Sequence, residues 1–328
     1  MNKLNKIGVS ALCGSLAAIS AAHAGDLTVT GGADMTWMSK DNKQVTGNPI
    51  GIGSNLTFSG SGELDNGWTV DLSVANTNAN AYSNTNVTIG VPGLGDVRVD
   101  QGTSGTGIQR MDDMTPSAWE EADGAGLSAG INKVMGTSAG TTVELTLSED
   151  IVPAGATVRF AYSKDADGSN SSDKGTAGTT GVLKAGWDLT AELGSDLHGI
   201  DGLTVYGGMS QVEKHVNATK HSGDVDETVI GIKYAAGNFT VGYQITDEDT
   251  GETGTTGYKN TAYSISFNVN DDLSVSYGHV ESDEEGASKD DPEADSIQAA
   301  YTMGGATFRI AEVDVENQAY SSSGDADL

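Results

Sequence analysis

Apolar and polar residues alternate one for one along most of this 328-residue chain, a period that fits strands with one dry face and one wet face. Leu27, Val29, Ala33, Met35 and Trp37 interleave with Thr28, Thr30, Asp34 and Thr36, and Trp68, Val70, Leu72 and Val74 continue the pattern after the turn at Glu63-Leu64-Asp65-Asn66-Gly67. Fifteen such segments can be counted, the last carrying Phe308 and Ile310. No segment after the amino-terminal leader approaches the ~20 apolar residues of a spanning helix. If the chain crosses a membrane it must therefore do so as a closed antiparallel β-barrel, the all-β form that pairs every backbone group.

The connections sort by length. Short turns such as Pro92-Gly93, Ala236-Gly237-Asn238, Asn270-Asp271-Asp272 and Gly304-Gly305 swap with long polar loops at roughly 39–50, 76–84, 165–179, 213–225, 247–257 and 282–293. Short turns on one rim and long loops on the other are the plan of an outer-membrane barrel with its long loops outside the cell. A soluble sandwich has no reason to sort its loops this way.

The amino terminus agrees with export. Lys3 and Lys6 precede a nearly uncharged stretch from Ile7 to Ala22, and Ala22-His23-Ala24 supplies a cleavage pattern, so residues 1–24 read as a Sec signal peptide and residues 25–328 as the barrel domain. Cleavage there removes Cys13, the one cysteine, and with it disulfide and thiolate chemistry. It leaves 15 basic residues against 46 acids, a formal charge of −31 that excludes nucleic acid as a partner.

Aromatic residues add an independent sign. Trp68, Tyr234, Phe239, Phe267, Tyr301 and Phe308 all fall on the apolar parity beside short turns, which predicts one girdle at the periplasmic interface. Trp37, Tyr162 and Tyr263 are candidates for the opposite girdle.

Over nearly the whole mature chain this pattern resembles the Gram-negative general porins. The texture of Gly25-Asp26-Leu27-Thr28-Val29-Thr30-Gly31-Gly32 and of Gly60-Ser61-Gly62-Glu63-Leu64-Asp65-Asn66-Gly67-Trp68 is similar to that of alphaproteobacterial members. The resemblance implies a homotrimer of barrels in outer-membrane lipid and lipopolysaccharide, each with a water-filled pore for small hydrophilic solutes and ions, and about sixteen strands. It also implies that Gly102 to Gly126 stands where the family's third loop folds inward and narrows the pore.

That segment carries its own chemistry. Thr115-Pro116 can cap and start a short helix, with Arg110, Asp112 and Asp113 before it and Glu120, Glu121 and Asp123 on or after it. Acids on an internal loop need opposing charge or water. Arg98, Arg159, Lys184, Lys233 and Arg309 each sit on the polar parity, so in a barrel all five face the lumen, against Asp34, Asp71, Glu144, Asp188 and Glu192. A basic wall opposite an acidic loop is the transverse field by which general porins screen solutes, and the loop's excess of acids predicts a mild preference for cations. Whether the five bases form one cluster is left open by parity, which fixes face and not angle.

Other chemistry is absent. No nucleophile elbow, zinc-protease helix or phosphate loop occurs, and no cofactor is expected; the chain is not read as an enzyme. Asp165-Ala166-Asp167-Gly168 begins like a calcium loop but places its glycine fourth instead of sixth. The acidic runs Asp247-Glu248-Asp249 and Asp283-Glu284-Glu285 are expected on external loops, where Ca²⁺ or Mg²⁺ could bridge them loosely to lipopolysaccharide. Two other readings remain, an exported acidic structural or adhesive β-protein and a substrate-specific outer-membrane channel. The chain stops at Gly324-Asp325-Ala326-Asp327-Leu328, in what reads as the loop after the fifteenth strand, so a sixteenth and final strand is expected to lie beyond it.

Overall fold

The structure is a computed structural model that describes residues 27–42, 47–78, 84–101, 105–167, 182–214, 223–254, 257–286 and 290–328. The expected signal peptide lies outside these residues. The chain forms β1 (Leu27–Trp37), the two-residue β2 (Asp41–Asn42), β3 (Ile50–Glu63), β4 (Thr69–Thr77), β5 (Asn84–Val91) and β6 (Gly95–Asp100). After a long inserted loop come β7 (Thr142–Leu147), β8 (Ala156–Ser163), β9 (Leu183–Leu193), β10 (Leu203–Lys214), β11 (Val225–Ala236) and β12 (Phe239–Asp249). Then follow β13 (Gly257–Asn268), β14 (Leu273–Glu285), β15 (Glu293–Met303), β16 (Ala306–Glu316) and the two-residue β17 (Ala326–Asp327). Without the two short pieces, fifteen strands remain among the described residues, the number legible in the alternation.

These strands make one antiparallel sheet in which, from β3 to β16, each pairs with the next. β1 pairs with β3 over its full length, Leu27 opposite Gly60 and Trp37 opposite Ile50. β1 and β16 run in the same direction, and at the long-loop rim β17 pairs with both Asp314–Val315 of β16 and Asp41–Asn42 of β2. The tight turns follow from backbone sterics. Gly237 and Gly304 adopt φ of 61° and 62° in two-residue hairpin connections that need a left-handed residue.

The two faces are the reverse of a soluble sheet. Ile230 is 62% exposed, whereas its strand neighbour Glu227, on the opposite parity, is 4% exposed. The same inversion holds for exposed Leu189, Tyr243, Ile265 and Ile297 against buried Asp188, Gln244, Ser264 and Gln298. A sheet that hides hydrogen-bonding groups and presents aliphatic and aromatic ones is built for an apolar solvent outside it.

Two expectations need correction. The acidic runs are not loops: Asp247–Asp249 ends β12 and Asp283–Glu285 ends β14. The ladders continue upward because Lys259 lies opposite Asp247 on one side and Asp283 on the other, a cross-strand charge pairing that extends the sheet. Glu248 and Glu284 of the same runs face inward, where Asn132 donates to Glu248. The connections after β10, β12 and β14 are correspondingly shorter than the polar composition suggested.

Candidate functional site

The loop between β6 and β7 is the main body inside the sheet. Thr106, Ile108, Met111, Ala122, Ala125, Leu127, Ala129, Val134, Thr137 and Ser138 are all buried. Inward side chains from β7 to β15 grip its backbone. Gly107 N–H donates to Glu144 at 2.7 Å, Ile108 N–H to Asp188 at 3.2 Å, and Met135 and Gly136 N–H to the two oxygens of Glu227 at 2.9 and 2.6 Å. Farther along, Gln244 Nε2 donates to Asp112 O at 2.9 Å and Ser264 Oγ to Pro116 O at 2.6 Å. Because strands as far apart in the sheet as β7 and β15 hold one loop, the sheet must curve around it.

The short helix lies elsewhere than the capping pattern suggested. A 3₁₀ turn spans Gly107–Met111, and Thr115-Pro116 starts no helix. The wall takes up the backbone groups that a helix there would have used. Ala118 N–H donates to Ser276 Oγ at 2.8 Å, Trp119 and Glu120 N–H both donate to Gln298 Oε1 at 3.1 Å, and Gln298 Nε2 donates back to Glu120 O at 2.8 Å. The loop also runs past Gly126, its last ordered turns reaching Thr141 before β7 begins.

The charges fall into two groups. Arg98 on β6 lies opposite Glu144 on β7, and Arg159 on β8 lies opposite Thr146, one pleat along. Arg110 of the loop joins them, with its guanidinium 2.5 Å from Glu144 Oε1. Burial pulls the Arg110 pKa below its ordinary value against the opposing charge of Glu144, and the positive charges of Arg159 and Arg98 lower it further. Arg98 in turn contacts Asp100 at 2.5 Å and Arg159 contacts Glu192 at 2.6 Å. The other three predicted wall bases are dispersed: Lys184 near the long-loop end of β9, Lys233 opposite Gly242 and Arg309 opposite Ala300 near the short turns. The basic residues thus form a group of three, one of them from the loop itself.

The second group is acidic and belongs to the loop. Asp112, Asp113, Glu121 and Asp123 line a recess with Lys133 against Gln244, Thr246 and Asn260 of the wall. Lys133 Nζ is 2.8 Å from Glu121 and 3.7 Å from Asp123. Burial and the adjacent Asp113 raise the Asp112 carboxyl to about 7. Burial and Glu121 also push Glu120 upward, with Arg309 opposing, and burial raises Asp123 despite Lys133. Lys133 itself rises above its ordinary value: burial alone would lower it, but the hydrogen bond and charge of Glu121 prevail.

Lys133, Glu227, Gln244, Ser264, Ser276 and Gln298 were not singled out in the sequence. Lys133 lies beyond the segment assigned to the loop, and inward serines and glutamines read as ordinary wetted lining. Only a run of inward polar residues too large for a water-filled face to bury would have signalled a captive backbone. Of the six aromatics predicted for a girdle, Trp68, Tyr234, Phe239, Tyr301 and Phe308 are exposed, and Phe267 packs tilted against Phe239 at 4.4 Å across the β12–β13 ladder.

Comparison with known proteins places this architecture. The profile of the Gram-negative porin family matches residues 8–325. Among solved structures, a tryptophan-substituted variant of Rh. blastica porin shares 14% identity and a TM-score of 0.58, covering 92% of this chain and 97% of that one. A porin structure refined at 1.8 Å gives 12% identity and a TM-score of 0.63 over the same shares of both chains. A comparison with curated proteins gives no match. A polar-lined sheet wrapped around its own loop, with an apolar exterior and a family match over most of its length, leads to one conclusion: the chain belongs to the Gram-negative porins, outer-membrane β-strand channels.

Proposed function

We propose that this porin passes small hydrophilic solutes and ions by passive diffusion, with a mild preference for cations set at the inserted loop. The observation that carries the reading is the recess of Asp112, Asp113, Glu121 and Asp123 inside the sheet, balanced by Lys133, the one Lys or Arg among its lining residues. The inward faces of β1 and β3 to β5 supply a neutral wall of hydroxyls and amides, among them Thr28, Thr30, Asn55, Thr57, Ser73, Asn86 and Thr88, interrupted by Asp34 and Asp71. Liposome swelling with a series of neutral sugars tests diffusion: uptake that falls smoothly with solute size supports a general pore. Saturable uptake of one sugar would overturn it in favour of a substrate-specific channel.

A homotrimer is supported by strand length. β6 and β7 have six residues each, against 11 to 13 in β9 to β15. Six residues span roughly 20 Å, and less across a membrane once tilted, short of the ~25 Å apolar band of a barrel wall. The outward side chains there and on the adjoining β5, Val87, Ile89, Val91, Val97, Val99, Val143, Leu145 and Leu147, are all aliphatic. A second copy packed on this sector would cover it. Val99 and Val143 lie opposite each other at its centre, and replacing both with Glu should convert the assembled form on unboiled gels to monomer. Unchanged migration would place the interface elsewhere.

A further inference from the structure

The tip of the inserted loop is held from outside the wall as well as by it. After β16 the chain turns back at Asn317–Tyr320, and this turn sits on loop residues 128–132. Ala319 N–H donates to Ala129 O at 2.8 Å, and Gln318 Nε2 donates to Ser128 O. Asn132 N–H donates to Tyr320 Oη at 3.3 Å, while that same hydroxyl lies 2.7 Å from Ser282 Oγ on β14 and its ring packs 5.4 Å from Tyr258 on β13. Tyr320 thereby ties three bodies together: the loop tip, the wall and the segment at the long-loop rim.

The backbone of the turn is itself unusual. Asn317, Ala319 and Tyr320 adopt φ of 52°, 54° and 58°, a left-handed conformation unfavourable for side chains other than those of Gly, Asn and Asp. Such residues persist when their surroundings over-determine them. Here Ser321 N–H donates to Asn317 O at 3.1 Å, Gln318 N–H to Gly324 O at 3.1 Å, and Asn317 Nδ2 to Asp291 O at 3.0 Å, so the turn is fixed from within and from the β14–β15 connection. A simple rim loop has no need of this geometry. What it achieves is to point the Ala319 N–H and the Tyr320 hydroxyl down onto the loop tip.

We infer that residues 317–320 are a strap that clamps the tip of the inserted loop, making Ala319 and Tyr320 positioning residues for the pore constriction. The inference rests on the reading of that loop as the constriction. It adds that the aperture is set partly from the external rim, so anything that lifts the strap loosens residues 128–132, which adjoin the acidic recess through Asp123 and Lys133.

Two measurements test it. Gly130→Cys with Ala319→Cys should form a disulfide on mild oxidation of the assembled protein, since a Cβ built at Gly130 stands 3.3 Å from the Ala319 Cβ. Gly130 has φ of 70°, so Ser128→Cys with Gln318→Cys and a short bifunctional thiol reagent serves as the second pair. In single-channel recordings Tyr320→Phe, which removes the hydroxyl and keeps the ring, should raise the fraction of time in a noisy, wider state by about 2- to 10-fold, the factor that one lost hydrogen bond carries. The oxidised double-cysteine protein should be quieter than its reduced form. Failure of both pairs to cross-link would overturn the strap. Cross-linking with no difference in channel noise between oxidised and reduced protein, or between Tyr320→Phe and the parent, would overturn its positioning role. Failure of the constriction reading shows separately, as a selectivity that ignores Asp112 and Asp113.

Discussion

Replacing Asp188 with Ala should widen the pore and raise single-channel conductance while leaving the sheet intact. Asp188 is fully buried on β9, and its Oδ2 accepts from Ile108 N–H at 3.2 Å, Thr137 N–H at 3.2 Å and Thr137 Oγ1 at 2.8 Å. One carboxylate therefore joins the outgoing and returning limbs of the inserted loop. Each buried donor left unsatisfied costs about 1 to 3 kcal/mol, enough for three of them to favour a loop hydrated and displaced from the wall. The barrel ladders use backbone groups alone, so heat-modifiable migration should persist. The fit around Asp188 supplies a companion test. A Cβ at Gly107 would stand 1.6 Å from Asp188 Oδ2 and one at Gly136 would stand 2.6 Å from Oδ1, and both glycines have left-handed φ, 57° and 52°. Gly136→Ala should therefore reproduce the Asp188→Ala phenotype in weaker form. Conductance unchanged in both variants would mean that this contact does not hold the aperture.

The same contacts show what the sequence could disclose. A strand announces its faces by parity, so the exposed exterior of Ile230, Ile232 and Tyr234 was readable one residue at a time. The arrangement of the loop was not. Thr115-Pro116 has the local chemistry of a helix start, yet Ser264, Ser276 and Gln298, distant in sequence, satisfy the backbone of residues 116–120 and remove the reason for a helix there. Local propensity lost to tertiary hydrogen bonds, a competition that no window of sequence contains. Clustering of charge was hidden for a related reason. Arg98 and Arg159 meet because β6, β7 and β8 are consecutive and their registers bring both beside Glu144, whereas Lys233 and Arg309 sit on strands far around the sheet. Register depends on turn geometry as well as on alternation.

Cation preference should rise with pH across neutrality and should do so through Asp112. Burial and Asp113 hold the Asp112 carboxyl at about 7 in the folded protein, against an ordinary value of 3.8. Below that range the recess carries one negative charge fewer; above it, Asp112 adds its charge where the low-dielectric wall focuses it on passing ions. Reversal potentials in planar bilayers under a salt gradient should thus report a cation-to-anion permeability ratio that increases between pH 6 and pH 8. Asp112→Asn should flatten that dependence, and Asp112→Asn with Asp113→Asn should lower the ratio at every pH in the range. The stability sign is opposite to that of a salt-bridged acid. Between 3.8 and about 7 the folded state binds more protons than the unfolded state, so the Asp112 contribution to stability is fully present at low pH and is lost as pH rises through about 7. Asp112→Asn should therefore stabilise loop docking above pH 7 while weakening selectivity, a trade of stability for function at one residue. A permeability ratio that is flat in the parent protein, or that keeps its slope in Asp112→Asn, would show that Asp112 does not face the conduction path.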